Sequence, residues 1–435
     1  MSFLTLRRSP VRWFVPFALT ASVAMLLVRD RYWVGVWPET SAAAQIPAVL
    51  VSGLSAAAAA WSAGSAVRHG TVEQTIASAL PRWRRELPGV TVTLFYFAMV
   101  SLAVQVVAFA FTIWMNPPGF GMWPGYVLMA LVVTVLSVAF GHLVGKVLSG
   151  RFAAAVAGLT WFMGATYFGP SLELAVLKGP VYEEVDGLTI VVRFLSALAL
   201  LALAVAIPPL GSLPWAAVGD SRSAFRRFQP LLLTSVVSVT LVLTATAIGS
   251  PISLRESKGE ALCQGGERVV ICLWPEHEKY RDMIAGIIHR AERLPLEFTI
   301  PSHFDEYGLS FRAFSSGSRD VDLTVDHVPY FVLMEGSIWS VSGPIAVEIV
   351  KHSLAFCEGD SGAKGEQLEE KAIELQDWLE AYLAGGGQPD YRTSASTERK
   401  DIASRAVDRA NSGDTAAQLS WATTVIEDYN GAPCR

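Results

Sequence analysis

Apolar positions run almost unbroken through long stretches of the first 250 residues and thin to short, interrupted runs in the remainder. A helix of roughly 18 or more apolar residues crosses a hydrocarbon core about 30 Å thick. On that criterion the pattern predicts seven spans, at 13–28, 42–66, 92–114, 126–145, 152–168, 188–207 and 231–248, the fifth of them near the lower bound. The stretch 169–187, GPSLELAVLKGPVYEEVDG, is broken by Pro, Gly and charge, so it is expected to stay on one side and dip partly back into the bilayer. The first run, behind Arg7, Arg8 and Arg12, has the look of a secretory leader with a cleavage site near Ser41–Ala44. A second apolar run follows it directly, which favours a retained span.

Beyond position 250 the pattern changes to that of an α/β domain. Short β-like runs are read at 269–274, 298–300, 309–314, 323–325 and 330–335. Helices are read where apolar positions recur on one face, as in Tyr280, Ile284, Ile287, Ile288, Ala291 and Leu294, and again in Leu368, Ala372, Leu375, Leu379 and Tyr382. The stretch 385–397, GGGQPDYRTSAST, reads as a loop, and helices near 398–410 and 415–429 complete the chain. The expected architecture is therefore an α-helical polytopic membrane bundle over 1–249 followed by an α/β extracytoplasmic domain over 250–435.

Charge orients this scheme. With 52% hydrophobic residues and a mean hydropathy of +0.39, the chain is too apolar for an ordinary water-soluble fold. Up to Ile248 there are 16 Lys+Arg against 9 Asp+Glu; from Gly249 there are 18 against 30, and the two parts sum to the overall −5. Basic loops stay on the cytoplasmic side. Arg68, Arg82, Arg84 and Arg85 between spans two and three, Lys146 and Arg151 after span four, and Arg222, Arg226 and Arg227 before span seven thus place the N-terminus inside and the C-terminus outside. Tyr32, Trp33 and Trp37 are expected in an outer aromatic belt. Arg193, near the outer end of span six, is expected to snorkel or to pair with Glu183 or Glu184. The acidic second part argues against binding nucleic acid or anionic surfaces.

All four cysteines follow the last span, in a compartment where disulfides persist. Cys263 and Cys272 flank a Gly265-Gly266 turn suited to a hairpin closed by a disulfide, which leaves Cys357 to pair with Cys434. Such a long second loop would restrict the unfolded chain by about 4 kcal/mol in the entropy treatment. Spacers of 8, 84 and 76 residues match no zinc pattern, so no metal is expected on the cysteines.

The loop between spans two and three carries the most informative sequence. In RHGTVEQTIASALPRWRREL, Val72, Ile76 and Leu80 recur at i, i+4 and i+8, a short amphipathic helix ending at Pro81 and leading into a basic turn. Such a helix lies on the inner membrane surface or inserts into a partner. The run resembles the intracellular coupling segment of ABC-type exporter permeases, with Arg68, Gly70, Thr71, Glu73, Leu80, Pro81 and Arg82 in the matching places and Ile76 on the apolar face that would meet the ATPase. The likeness covers roughly 13–207, six spans with a broken outer segment between the fifth and sixth. The part beyond is similar to the C-terminal regions of permease-like proteins of high-GC Gram-positive bacteria, through the run VICLWPEH. The resemblance implies a separate ATPase on the cytoplasmic face, lipid contact, and association with a second permease copy; no cofactor is implied.

Catalytic motifs are missing. No G-x-x-x-x-G-K-[ST] occurs, and GHLVGKV at 141–147 has the wrong spacing. Gly141 and Gly145 are spaced for a close helix contact. VEIVKH at 347–352 lacks the first His of H-E-x-x-H, so two imidazoles cannot face one ion. His277, His289, His303 and His327 show no ligand spacing, and Glu276, Asp305 and Glu306 read as solvated loop charges. Three functions remain in contention: a non-catalytic exporter subunit whose outer domain binds or gates cargo, a membrane-anchored interaction or sensor protein without transport activity, and, last, an exported hydrolase.

Overall fold

The computed structural model describes residues 9–28, 33–71, 74, 81–118, 121, 123–148, 152–167, 179–207, 250–255, 261–309, 328–334, 336–355, 365–387 and 397–433. Contacts divide the chain into two units, Met1–Asn116 with Phe120–Ser253, and Pro117–Gly119 with Leu254–Arg435.

The first unit is helical. A 3-10 turn, Pro10–Trp13, leads into α1 (Phe14–Leu27), followed by α2 (Trp37–Ala43), α3 (Ala48–Ala63), the single turn α4 (Ser65–Arg68), α5 (Arg82–Trp114), α6 (Pro124–Leu148), α7 (Ala153–Tyr167) and α8 (Gly187–Ala206). Among the described residues, five helical stretches are long and apolar enough to cross a membrane: Pro10–Leu27, Trp37–Ala63, Trp83–Trp114, Pro124–Leu148 and Gly187–Ala206. Large apolar side chains such as Phe17, Phe95, Val106 and Trp114 are exposed while Ser55, Thr112 and Ser137 are buried, a pattern suited to a hydrocarbon surround. The fifth expected span is helical but its 15 residues reach only about 22 Å. The seventh, 231–248, lies outside the described residues, as do 169–178.

Small residues set the packing. Helix α3 lies against both α6 and α7, and α6 also packs on α8. A Cβ built on Gly141 would stand 2.0 Å from the Ala56 carbonyl oxygen, and one on Gly145 would stand 2.5 Å from that of Ala60. The glycine pair thus seats α6 directly on the α3 backbone. On the other side of α3, Gly53 and Gly158 face each other less tightly, built Cβ atoms standing 3.5 Å and 3.2 Å from the opposite carbonyl oxygen.

Three expectations need correcting here. The second span is not one helix, because Ala44–Pro47 form a turn between α2 and α3. The basic stretch after Pro81 is not a turn; Pro81 is the extended N-cap residue and Arg82 begins a 33-residue helix that continues through Pro88. Trp33 and Trp37 do not form an exposed belt, being 0% and 4% exposed, with the Trp33 indole N–H donating to the Leu26 carbonyl. Tyr32 lies outside the described residues.

A two-stranded sheet, β1 (Glu183–Val185) with β2 (Ile252–Leu254), lies beside the Asp186 N-cap of α8. The second unit holds β3 (Leu262–Gly265), β4 (Val270–Leu273), α9 (Arg281–Glu292), β5 (His303–Glu306), β6 (Tyr330–Phe331), α10 (Trp339–Ser353), α11 (Glu366–Ala384), α12 (Thr397–Ala410) and α13 (Thr415–Gly431). The sheet order is β3-β4-β5-β6, antiparallel between the first two strands and parallel thereafter. Helix α9 makes the crossover from β4 to its parallel neighbour β5, as such a connection requires. Its Ile284, Ile287 and Ile288 enter one core with Ile271, Phe298, Phe304, Ile345, Trp378 and Ile426.

The α/β character expected of this part is found, although the strand positions shift. Residues 298–300 form no strand: Phe298 is buried in the core from a turn, with Pro295 and Pro301 on either side. Strand β5 and helix α10 stand where no element was expected. Runs 310–314 and 323–325 lie outside the described residues.

Candidate functional site

In the membrane-type unit, chemistry gathers where four helix ends meet. The last residues of α3, the first turns of α5, and the ends of α6 and α8 converge: Gly89 abuts Ser62, and Gly64 lies near the Gly145 carbonyl. Into this junction α6 projects His142 and Lys146, four residues apart and therefore on one face. Both are 3% exposed. Glu86, in the second turn of α5 and 19% exposed, receives both: its Oε2 is ion-paired with Lys146 Nζ and lies 2.9 Å from His142 Nε2.

Lys146 also closes a helix. Its ammonium donates to the carbonyl oxygens of Ala204 (2.7 Å), Val205 (3.1 Å) and Ile207 (2.7 Å) at the end of α8. The last carbonyls of a helix lack intrahelical partners and carry partial negative charge, so a buried cation there satisfies both needs. The His142 Nδ1 atom is buried without a hydrogen-bond partner among the described residues, which assigns the ring proton to Nε2, facing the carboxylate. A cluster of this kind inside a membrane unit is costly to build and marks function by default.

The residues of the expected coupling segment fall around this junction only in part. Arg68 closes α4, donates to the Trp61 carbonyl and lies over the Trp61 ring at 3.8 Å. Gly70 has φ +63 with no atom of the described residues within 4 Å of a built Cβ, and the Thr71 amide donates to Ala66 O at 3.0 Å. Pro81 and Arg82 start α5. Glu73, Ile76 and Leu80 lie outside the described residues, so the amphipathic helix remains an expectation.

In the second unit Cys263 and Cys272 form a disulfide between directly paired positions of β3 and β4. Cys357 and Cys434 lie outside the described residues. The run Trp274–His277 is a fastening. His277 Nδ1 lies 2.7 Å from Glu306 Oε1, both side chains 1% exposed, and the Trp274 amide donates to the other carboxylate oxygen. Arg255 pairs with Glu276 at 2.7 Å and covers the Trp274 ring. The expectation of solvated loop charges is therefore wrong for Asp305 and Glu306, which lie on β5 with their carboxylates engaged, and for Glu276, which sits in the 3-10 turn Pro275–Tyr280 paired with Arg255. His303 Nε2 lies 2.8 Å from Asp305 Oδ1 and 3.6 Å from Cys272 Sγ. His352, in the peptidase-like run, is exposed near the end of α10, its Nδ1 2.8 Å from its own helix's Glu348 carbonyl oxygen.

Sequence reasoning missed the Glu86–His142–Lys146 cluster. The signals were the i, i+4 pair of basic side chains inside an apolar run and one acid in a basic segment. No protein-family model, curated protein or solved structure matches the chain.

Proposed function

We propose that the chain is the membrane subunit of an ABC-type exporter that works with a separate ATPase. In this reading it crosses the membrane seven times, from an inside N-terminus to an outside C-terminus, and its C-terminal unit binds or gates cargo. The supporting observation is the Glu86–Lys146 pair. Glu86 follows the 72–81 segment by five residues, and Lys146 ties it to the carbonyls that end α8. A displacement applied to that segment by an ATPase therefore reaches three helices through one ion pair. Arg68, Arg82, Arg84 and Arg85 put the same end on the cytoplasmic side, where an ATPase docks.

The test is affinity purification from the native host in mild detergent. An ATPase should co-purify with the wild-type chain. Ile76→Asp should release it, because a charge seated in a protein cleft is desolvated without a partner at a cost of several kcal/mol. Arg84→Ala should retain it, since an exposed basic side chain contributes about 1 kcal/mol or less. A wild-type chain that carries no ATPase would instead be a membrane-anchored display or sensing protein.

A further inference from the structure

We infer that β3, β4 and β5 carry a redox-gated site for a thiophilic divalent cation of the zinc class, shut while Cys263 and Cys272 are joined and opened when a dithiol reduces them. Three donors already converge. Cys272 Sγ, His303 Nε2 and Asp305 Oδ1 lie within 4.8 Å of one another, with the sulfur 3.6 Å from the imidazole nitrogen. A nitrogen at about 2.0 Å and a sulfur at about 2.3 Å from one tetrahedral ion stand about 3.5 Å apart. The sulfur–nitrogen spacing thus matches what an ion would impose, while the His303–Asp305 hydrogen bond at 2.8 Å would open slightly to admit it.

The fourth ligand comes from register. Cys263 is the direct antiparallel partner of Cys272, so reduction leaves a second thiolate beside the first. His303 and Asp305 are alternate residues of β5 and share a face, and Asp305 stands opposite Cys272 in the parallel ladder. The resulting set, two thiolates, one imidazole and one carboxylate, is held by three adjacent strands. In the disulfide the sulfurs lack the charge that binds a metal.

The gate balances as an ordinary exchange. One thiolate of the dithiol attacks Cys263 Sγ, the exposed partner, and expels Cys272 as a thiolate beside His303. The reductant's second thiolate then attacks its own sulfur in the mixed disulfide and releases Cys263. Two electrons pass to the protein, and the dithiol leaves as a cyclic disulfide.

Cobalt(II) is the probe. The full chain in mild detergent, carrying Cys357→Ser and Cys434→Ser, is reduced with a phosphine that is then removed, and titrated beside its oxidised form. The reduced protein should bind one Co²⁺ with thiolate-to-metal charge-transfer absorption, and the oxidised protein none. His303→Ala should weaken binding by at least about tenfold. If the serine variants do not fold, the same comparison between reduced wild type and reduced His303→Ala reads the site. Absence of the charge-transfer band in the reduced protein, or equal affinity in wild type and His303→Ala, would overturn the inference.

Discussion

Lys146 shows how much one side chain can be asked to hold. It is buried, ion-paired to Glu86 and bonded to three carbonyls of another helix. Removing one member of a buried pair strands the other and costs about 3–5 kcal/mol. Lys146→Met should therefore lower the apparent Tm of the detergent-solubilised protein markedly, and Glu86→Gln less, because an amide still accepts from Lys146. A double-mutant cycle should give a coupling of about 1–3 kcal/mol, and strictly additive losses would show that the two do not work as a pair. The two basic side chains were visible in HLVGK, but their acid partner lies 56 positions before His142. Only packing brings them together. The same holds for Glu306: HFDE reads as a polar loop, and its burial follows from β5 being hydrogen-bonded on both edges and from His277 reaching it across 29 residues.

Among elements, the long apolar helices were legible because a run of that length has few other uses, whereas α10 was not. Its sequence, WSVSGPIAVEIVKHS, holds Gly, Pro, Ser and β-branched residues, all poor helix formers. It is helical because Val341, Ile345, Ala346 and Ile349 complete the core, so tertiary burial overrides local preference. The residues 298–300 fail in the opposite direction, with β-forming side chains but prolines on both flanks. The glycine pair of α6 gives the sharpest element-level test. Gly141→Ala drives a methyl into the Ala56 backbone and should lower the Tm by several degrees or leave the protein aggregated in detergent. Gly164→Ala, in α7 with no atom of the described residues within 4 Å of the new methyl, should be neutral or stabilise by up to about 1 kcal/mol. Equal behaviour of the two variants would mean that α3 and α6 do not meet through these glycines.

For the molecule as a whole, charge and hydropathy change near position 250, and contacts group Leu254–Arg435 with Pro117–Gly119 apart from the rest. Span number was less legible, because Ala153–Tyr167 is short and 231–248 lies outside the described residues. The proposed topology makes a direct prediction: a reporter active only in the cytoplasm should work after His69 or Phe225 and fail after Glu260. A signal from the Glu260 fusion would reject the seven-span arrangement. Non-reducing peptide mapping should recover Cys263 linked to Cys272, and, under the proposed pairing, Cys357 linked to Cys434. Crossed linkages would reject that pairing.

The seat of α3 also sets a timetable. Its two small-residue faces are filled by α6 and α7, both of which are synthesised later. Only α1 among the earlier long helices packs on α3, through Ala18 against Val51 and Ala58. Until α6 and α7 arrive, the small-residue faces of α3 meet lipid tails, which cannot match the close backbone approach that Gly141 and Gly145 later provide. The nascent membrane unit is therefore unfinished until α7 has been inserted, and a chain released after Trp114 should be a substrate for membrane proteolysis, while one released after Tyr167 should persist longer in a pulse-chase.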